Sequence, residues 1–183
     1  MSENEGPGLV PLDGDRDRPV GQEQEADEAP EELRRLIVFQ ACDEWFSLPI
    51  EWVREIQPLQ RVTRVPNAPP EVMGVVNLRG RILTLFDLAG CLGIPSGGQP
   101  NTHAVVLDFP DPDLCVGIAA QRIAQVREVA ASVVHSAARD MSPGGMEGVF
   151  EMGGQVVGLL DLSRVFARVL LEWGVKAEPR GVR

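Results

Sequence analysis

Two aspartates stand in the same setting in two halves of the chain, so they are the first candidates for chemistry. Asp87 ends Leu83-Thr-Leu-Phe-Asp-Leu88, and Asp161 ends Val157-Gly-Leu-Leu-Asp-Leu162. Two carboxylates delivered by duplicated β units could share one proton and hydrolyse an amide. That chemistry holds each carboxylate in Asp-Thr/Ser-Gly, whereas here the contexts are Asp-Leu-Ala and Asp-Leu-Ser. An Asp capping the helical turn after a strand accounts for both positions at once, each cap worth about 1 kcal/mol. His103 and His135 have no Ser, Cys or carboxylate arranged around them as a nucleophile–base pair. No glycine loop ends in Gly-Lys-Ser/Thr, so no phosphate cradle is present. Cys42, Cys91 and Cys115 are odd in number, widely spaced and flanked by apolar residues, which reads as buried reduced thiol and a reducing cytoplasm. No catalytic residue, metal site or cofactor is expected.

Glu55 and Arg79 are more informative. Arg79 tops a predicted hairpin whose second copy carries Gly153 at that place. Glu55 ends Val53-Arg-Glu, and its counterpart in sequence, Glu128, has no Arg at the matching hairpin. An asymmetric Arg beside an acidic partner marks a surface used by one copy only. The bland alternative is an exposed ion pair worth about 0–1 kcal/mol. Spacing alone leaves both readings open.

The elements that must position these residues come from a duplication. Gly74-Val-Val-Asn-Leu-Arg-Gly-Arg-Ile-Leu-Thr-Leu-Phe-Asp-Leu88 returns without a gap as Gly148-Val-Phe-Glu-Met-Gly-Gly-Gln-Val-Val-Gly-Leu-Leu-Asp-Leu162. Upstream, Trp52-Val-Arg-Glu-Ile56 echoes Gln125-Val-Arg-Glu-Val129, and Leu36-Ile-Val-Phe39 echoes Ala104-Val-Val-Leu107. Ordered repetition of this length implies two copies of one small unit. Within the first, Leu36–Phe39 and Trp45–Leu48 read as a hairpin, and Ile50–Ile56 begins as a helical turn and finishes as a strand. Val72–Leu78 and Arg81–Phe86 read as a second hairpin about Arg79-Gly80. The second unit repeats this with Ala104–Phe109, Cys115–Ala119, Ile123–Val129, Gly148–Met152 and Gln155–Leu160, turning on Gly153-Gly154. Leu162, Val165, Phe166, Val169 and Leu170 fall at helical spacing, predicting an amphipathic helix over Leu162–Trp173.

Many short strands with frequent turn signals give an all-β fold: two small five-stranded antiparallel barrels with short helices and a C-terminal helix. The expected organisation is a disordered acidic N-terminal tail over 1–33 and a first barrel over 34–95. A linker over 96–101, a second barrel with its helix over 102–173 and a frayed end over 174–183 follow. Units this small bury too little surface to be stable alone, so they should lean on each other. The formal charge of −10 and pI near 4.7 argue against nucleic acid. No apolar run is long enough to span a bilayer, so no direct membrane insertion is expected. The acidic Gly/Pro-rich N-terminus does not read as an export signal.

At this point the residues resemble a family. Ile50 with Val53-Arg-Glu-Ile56, then Val62-Thr-Arg-Val-Pro66-Asn-Ala-Pro69, Gly74-Val-Val-Asn-Leu-Arg-Gly80 and Phe86-Asp-Leu88 are similar to the CheW-like coupling domain of bacterial chemotaxis. The resemblance continues less sharply through Asn101-Thr102, Val116-Gly-Ile118, Val126 and Leu160-Asp-Leu162. It implies a non-catalytic cytoplasmic adaptor at receptor arrays, built of two SH3-like barrels. Its partners would be the cytoplasmic tip of chemoreceptors (methyl-accepting chemotaxis proteins) and the regulatory domain of a chemotaxis-type histidine kinase. By the same resemblance Val53, Glu55 and Arg79 match receptor-facing positions, while Ile82 and Val126 line a groove between barrels. The second barrel would supply kinase contacts, none of them assignable by residue. Flagellar chemotaxis and a pathway controlling surface motility, pili or development fit equally.

Overall fold

The computed structural model describes residues 31–109, 114–136 and 144–172. The tail over 1–30, the Pro110–Pro112 connection and the C-terminal residues from 173 onward lie outside the described residues. Among the described residues, eleven strands and two helices follow in order: β1 (Leu33–Ala41), β2 (Glu44–Pro49), a 3-10 turn (Ile50–Trp52), β3 (Val53–Pro58), β4 (Val72–Leu78), β5 (Arg81–Phe86) and α1 (Leu88–Leu92). Then come β6 (His103–Leu107), β7 (Val116–Ala120), β8 (Arg122–Ala130), β9 (His135–Ser136), β10 (Met146–Met152), β11 (Gln155–Leu160) and α2 (Leu162–Glu172).

The strands form two barrel-like sheets, ordered β8-β1-β2-β11-β10-β9 and β3-β6-β7-β5-β4. This corrects two expectations. First, neither sheet is a contiguous half of the chain: the β1–β2 hairpin belongs with β8–β11, and the β6–β7 hairpin completes the sheet of β3–β5. The division at 96–101 therefore separates the sequence copies, not the barrels. Second, the sheets are mixed: β11 runs parallel to β2, and β5 parallel to β7. The cause of the exchange is local. Pro49 cannot continue the ladder as a donor, and the 3-10 turn hands the chain to the other sheet. The N-terminal boundary also moves, because β1 begins at Leu33 and the Glu32 carbonyl accepts from Ala131 N at 2.8 Å.

The exchange explains why β1 and β6 are apolar at consecutive positions rather than alternate ones. Leu36 and Val38 face the interior of one barrel with Phe150, Val157 and Leu159. Ile37 and Phe39, on the opposite face, enter a larger core between the barrels. In β6, Ala104 and Val106 turn into the other barrel, and Val105 and Leu107 join the shared core. Phe86, Phe109 and Phe166 meet there edge to face, with ring centroids 4.9 and 5.9 Å from Phe166. The two units do lean on each other, through a core neither owns.

Each barrel is closed by the same device. Thr63 pairs with Val75 in one, and His135 with Val149 in the other. The closing strand passes so close to Gly74 and Gly148 that an added Cβ would lie 2.5 Å from the Thr63 carbonyl and 2.7 Å from that of His135. Both glycines sit at register shifts, so the bulge and the missing side chain are one feature.

Candidate functional site

β3 and β4 are the terminal strands of their sheet, and Arg79 connects them. Leu78 pairs with Arg81, leaving Arg79-Gly80 as a two-residue turn with φ of 53° and 85°. The Asn77 carboxamide oxygen accepts from Gly80 N at 2.8 Å and braces that turn. From it the Arg79 guanidinium reaches the Glu55 carboxylate on β3 at 3.3 Å, with Arg79 73% and Glu55 26% exposed. Gln57 donates to the same carboxylate oxygen at 2.7 Å. Left-handed backbone costs an ordinary residue roughly 1–2 kcal/mol, and an ion pair this exposed returns about 0–1 kcal/mol. Neither favours Arg over Gly at this turn on stability grounds.

Val53 and Ile56 flank Glu55 and pack against the shared core, half-buried, so the strand that presents Glu55 is anchored from behind. Arg54 is skipped between the Val53 and Glu55 pairings and is held by Asp108 at 2.8 Å. This bulge lets Val53 and Glu55 serve different surfaces. The structure thus brings Glu55 and Arg79 together across the ends of β3 and β4, with Val53 two residues from Glu55 on β3 and packed against the core. Ile82 follows on β5, 70% exposed, opposite Asn77. Val126 does not join them: it lies on β8 in the other sheet, paired with Ile37 and 45% exposed.

The strand pairings also correct the upstream echo. In β8, Ala124 is the residue skipped, between Ile123 and Gln125. Matching the two bulges sets Val53 against Ile123, Glu55 against Gln125 and Ile56 against Val126. The Val-Arg-Glu motifs are out of register by three residues, so the true counterpart of Glu55 is neutral Gln125. The asymmetry is deeper than the sequence suggested, since both members of the Glu55–Arg79 pair are missing from the other barrel.

Asp87 and Asp161 are helix caps. The Asp87 carboxylate accepts from Ala89 N at 3.3 Å, and that of Asp161 from Ser163 N at 3.0 Å. Asp161 also meets Arg164 at 3.1 Å. Burial, then the charge of Asp87, pushes the Cys42 and Cys91 thiols up to about 11 and about 12, which keeps them protonated and inert.

Sequence reasoning missed three features. Arg61 and Arg81 are exposed arginines in the segments that lead into and out of this site; Arg61 lies outside the repeated hairpins, and Arg81 stands where the second copy has Gln155. An apolar groove on the other barrel is lined by Trp45, Phe46, Met146, Val149 and Gly158; the positions matching the last three, Val72, Val75 and Thr84, line a pocket together with the Val65–Pro69 segment. A polar clamp joins Gln121, 8% exposed, to the β1–β2 turn. Its amide donates to Asp43 at 2.9 Å and to the Gln99 carbonyl at 3.0 Å, while Asp43 N donates back at 2.9 Å.

Comparison with known proteins gives a consistent answer. The family model for the CheW-like domain matches residues 35–170. The chemotaxis protein CheW of Rhizobium meliloti is 29% identical over 136 residues, covering 73% of this chain and 87% of that protein. That of Treponema pallidum is 30% identical over 145 residues, covering 75% and 84%. Among solved structures, the scaffolding protein TtCheW from Thermoanaerobacter tengcongensis superposes with a TM-score of 0.63 at 18% identity, covering 79% of this chain and 94% of that one. The chain belongs to the CheW-like family.

Proposed function

Proceeding from that membership, we propose that this protein is a non-catalytic cytoplasmic adaptor that couples chemoreceptors to a chemotaxis-type histidine kinase. The edge that carries Glu55 and Arg79, with Val53 on the same strand as Glu55, takes the receptor, with Ile82 beside it; Val126 belongs to the opposite barrel's share of the assembly. One observation carries the reading. Arg79 holds an unfavourable backbone conformation at an exposed turn, where the equivalent turn uses Gly153. Strain kept where relief needs one substitution points to a use outside the fold. An Arg fixed beside an anchored carboxylate suits a partner that offers its own charge and a small apolar contact.

The test is assembly and stability measured on the same variant. Arg79→Glu should weaken capture of a receptor cytoplasmic fragment about tenfold or more, with an unchanged melting temperature, since the side chain is exposed. Undiminished capture of both receptor and kinase domain would remove the assignment. Peptide cleavage abolished by both Asp87→Asn and Asp161→Asn would replace the adaptor with a hydrolase.

A further inference from the structure

Charge is distributed unequally over the two barrels and the N-terminal segment. From Pro58 to Ile82 the exposed charges are all arginine: Arg61, Arg64, Arg79 and Arg81. The one acid in that stretch, Glu71, is 2% exposed. Arg61 precedes Thr63, whose bridge to Val75 sends the preceding chain alongside β4 toward the Arg79 turn. Leu59, Val62 and Leu78 pack one core cluster and fix that approach. The matching hairpin of the other barrel carries Glu147 and Glu151 and ends in Gly153-Gly154. Residues 1–30 hold nine carboxylates against two arginines, which is most of the excess behind the net charge of −10. Their longest apolar run, Leu9-Val-Pro-Leu12, leads directly into Asp13-Gly-Asp-Arg-Asp17.

We propose that this acidic segment is an internal ligand for the arginine rim, with Asp13, Asp15 and Asp17 drawn to Arg61 and Arg79 and the preceding apolar run against Ile82. Opposite charge selects this barrel over the acidic hairpin of the other. Covalent attachment makes the encounter intramolecular, at an effective concentration on the order of mM, so weak contacts suffice. A segment bound there covers Arg79 and must be displaced before a partner binds. That regulatory consequence rests on the adaptor reading; the docking itself does not.

The full chain tests this without any partner. A nitroxide on Gly14→Cys reports proximity to assigned amides, and the native thiols react slowly because Cys115 is buried and Cys42 and Cys91 are half-buried with raised pKa values. At about 20 mM salt, broadening should centre on Arg61, Arg79, Gly80 and Arg81 and spare Gly153-Gly154. It should fade in about 0.5 M salt, where the screening length is only a few ångströms. Changing Asp13, Asp15 and Asp17 to Asn should abolish it and tighten receptor-fragment binding about three- to tenfold. Broadening confined to the neighbourhood of Leu33, or equal at Gly153, would overturn the proposal. So would broadening on an isotope-labelled chain by a separate spin-labelled one, which would mean contact between copies. If docking fails while Arg79→Glu still weakens partner binding, the adaptor reading stands alone. If docking holds and Arg79→Glu binds partners normally, the segment binds but regulates nothing.

Discussion

The hairpins β4–β5 and β10–β11 are one structure made twice, with opposite surfaces. Both begin at a bulge glycine beneath a closing strand, and both turn through two residues in the left-handed region. One ends in Arg79-Gly80 opposite Glu55; the other ends in Gly153-Gly154, with Gln125 at the position equivalent to Glu55. The copies share the bulge glycine that closing a barrel requires; their buried positions differ only among apolar residues, and the difference in charge lies on the exposed turn. On the proposed reading, Arg79 occupies a place the fold would give to glycine because it serves a contact outside the molecule.

The shared half of this comparison breaks most dramatically. Gly74→Ala and Gly148→Ala each drive a Cβ into backbone at 2.5–2.7 Å. Each should cost about 3 kcal/mol or more in denaturant unfolding, and to similar extents, because each opens its barrel. A tolerated Ala at either site would mean that the closing strands are not needed. The caps come next: Asp161→Ala should cost about 1 kcal/mol. Asp87→Ala should cost less, since its contact at 3.3 Å is longer and α1 has five residues. A larger loss at Asp87, read by thermal melts, would reverse that ranking.

The smallest effect lies at the clamp between the barrels. Gly98 N donates to the Asp43 carboxylate at 2.6 Å, and this bond, followed by that from Gln121, holds the carboxyl below its ordinary value. A depressed carboxyl stabilises the fold above its unfolded-state value, and that contribution disappears as pH falls through the folded one. Asp43→Asn should therefore lower the neutral plateau slightly and flatten the acid limb, so that variant and wild type converge as pH falls. An acid limb identical in wild type and variant would leave the clamp without electrostatic content.

Much of this was legible in the residues. The helical turn that becomes a strand at Ile50–Ile56, the Arg79-Gly80 and Gly153-Gly154 turns, and the capping aspartates all rest on local chemistry that sequence states directly. The exchange of hairpins was not legible. Leu36-Ile-Val-Phe39 announces burial on both faces but not which sheet it joins, since that is decided by a three-residue turn and a distant partner. The register of β8 was hidden for another reason. Val126-Arg-Glu copies Val53-Arg-Glu letter for letter, and only the bulge at Ala124 shows that the identity is a coincidence of composition. Arg79 was readable because it replaces a turn glycine of the repeat, and Glu55 as an acid that could pair with it; Arg61 was not, because its significance depends on where the closing strand carries it.

The most direct test of the central claim is Arg79→Gly, which makes the first turn a copy of the second. It removes an exposed ion pair and relieves a left-handed residue, two small terms of opposite sign. Unfolding stability should be unchanged or raised, within about 1 kcal/mol, while receptor-fragment affinity measured on the same preparation falls about tenfold or more. A clear loss of stability with binding intact would contradict the account, because Arg79 would then serve the barrel and not a partner.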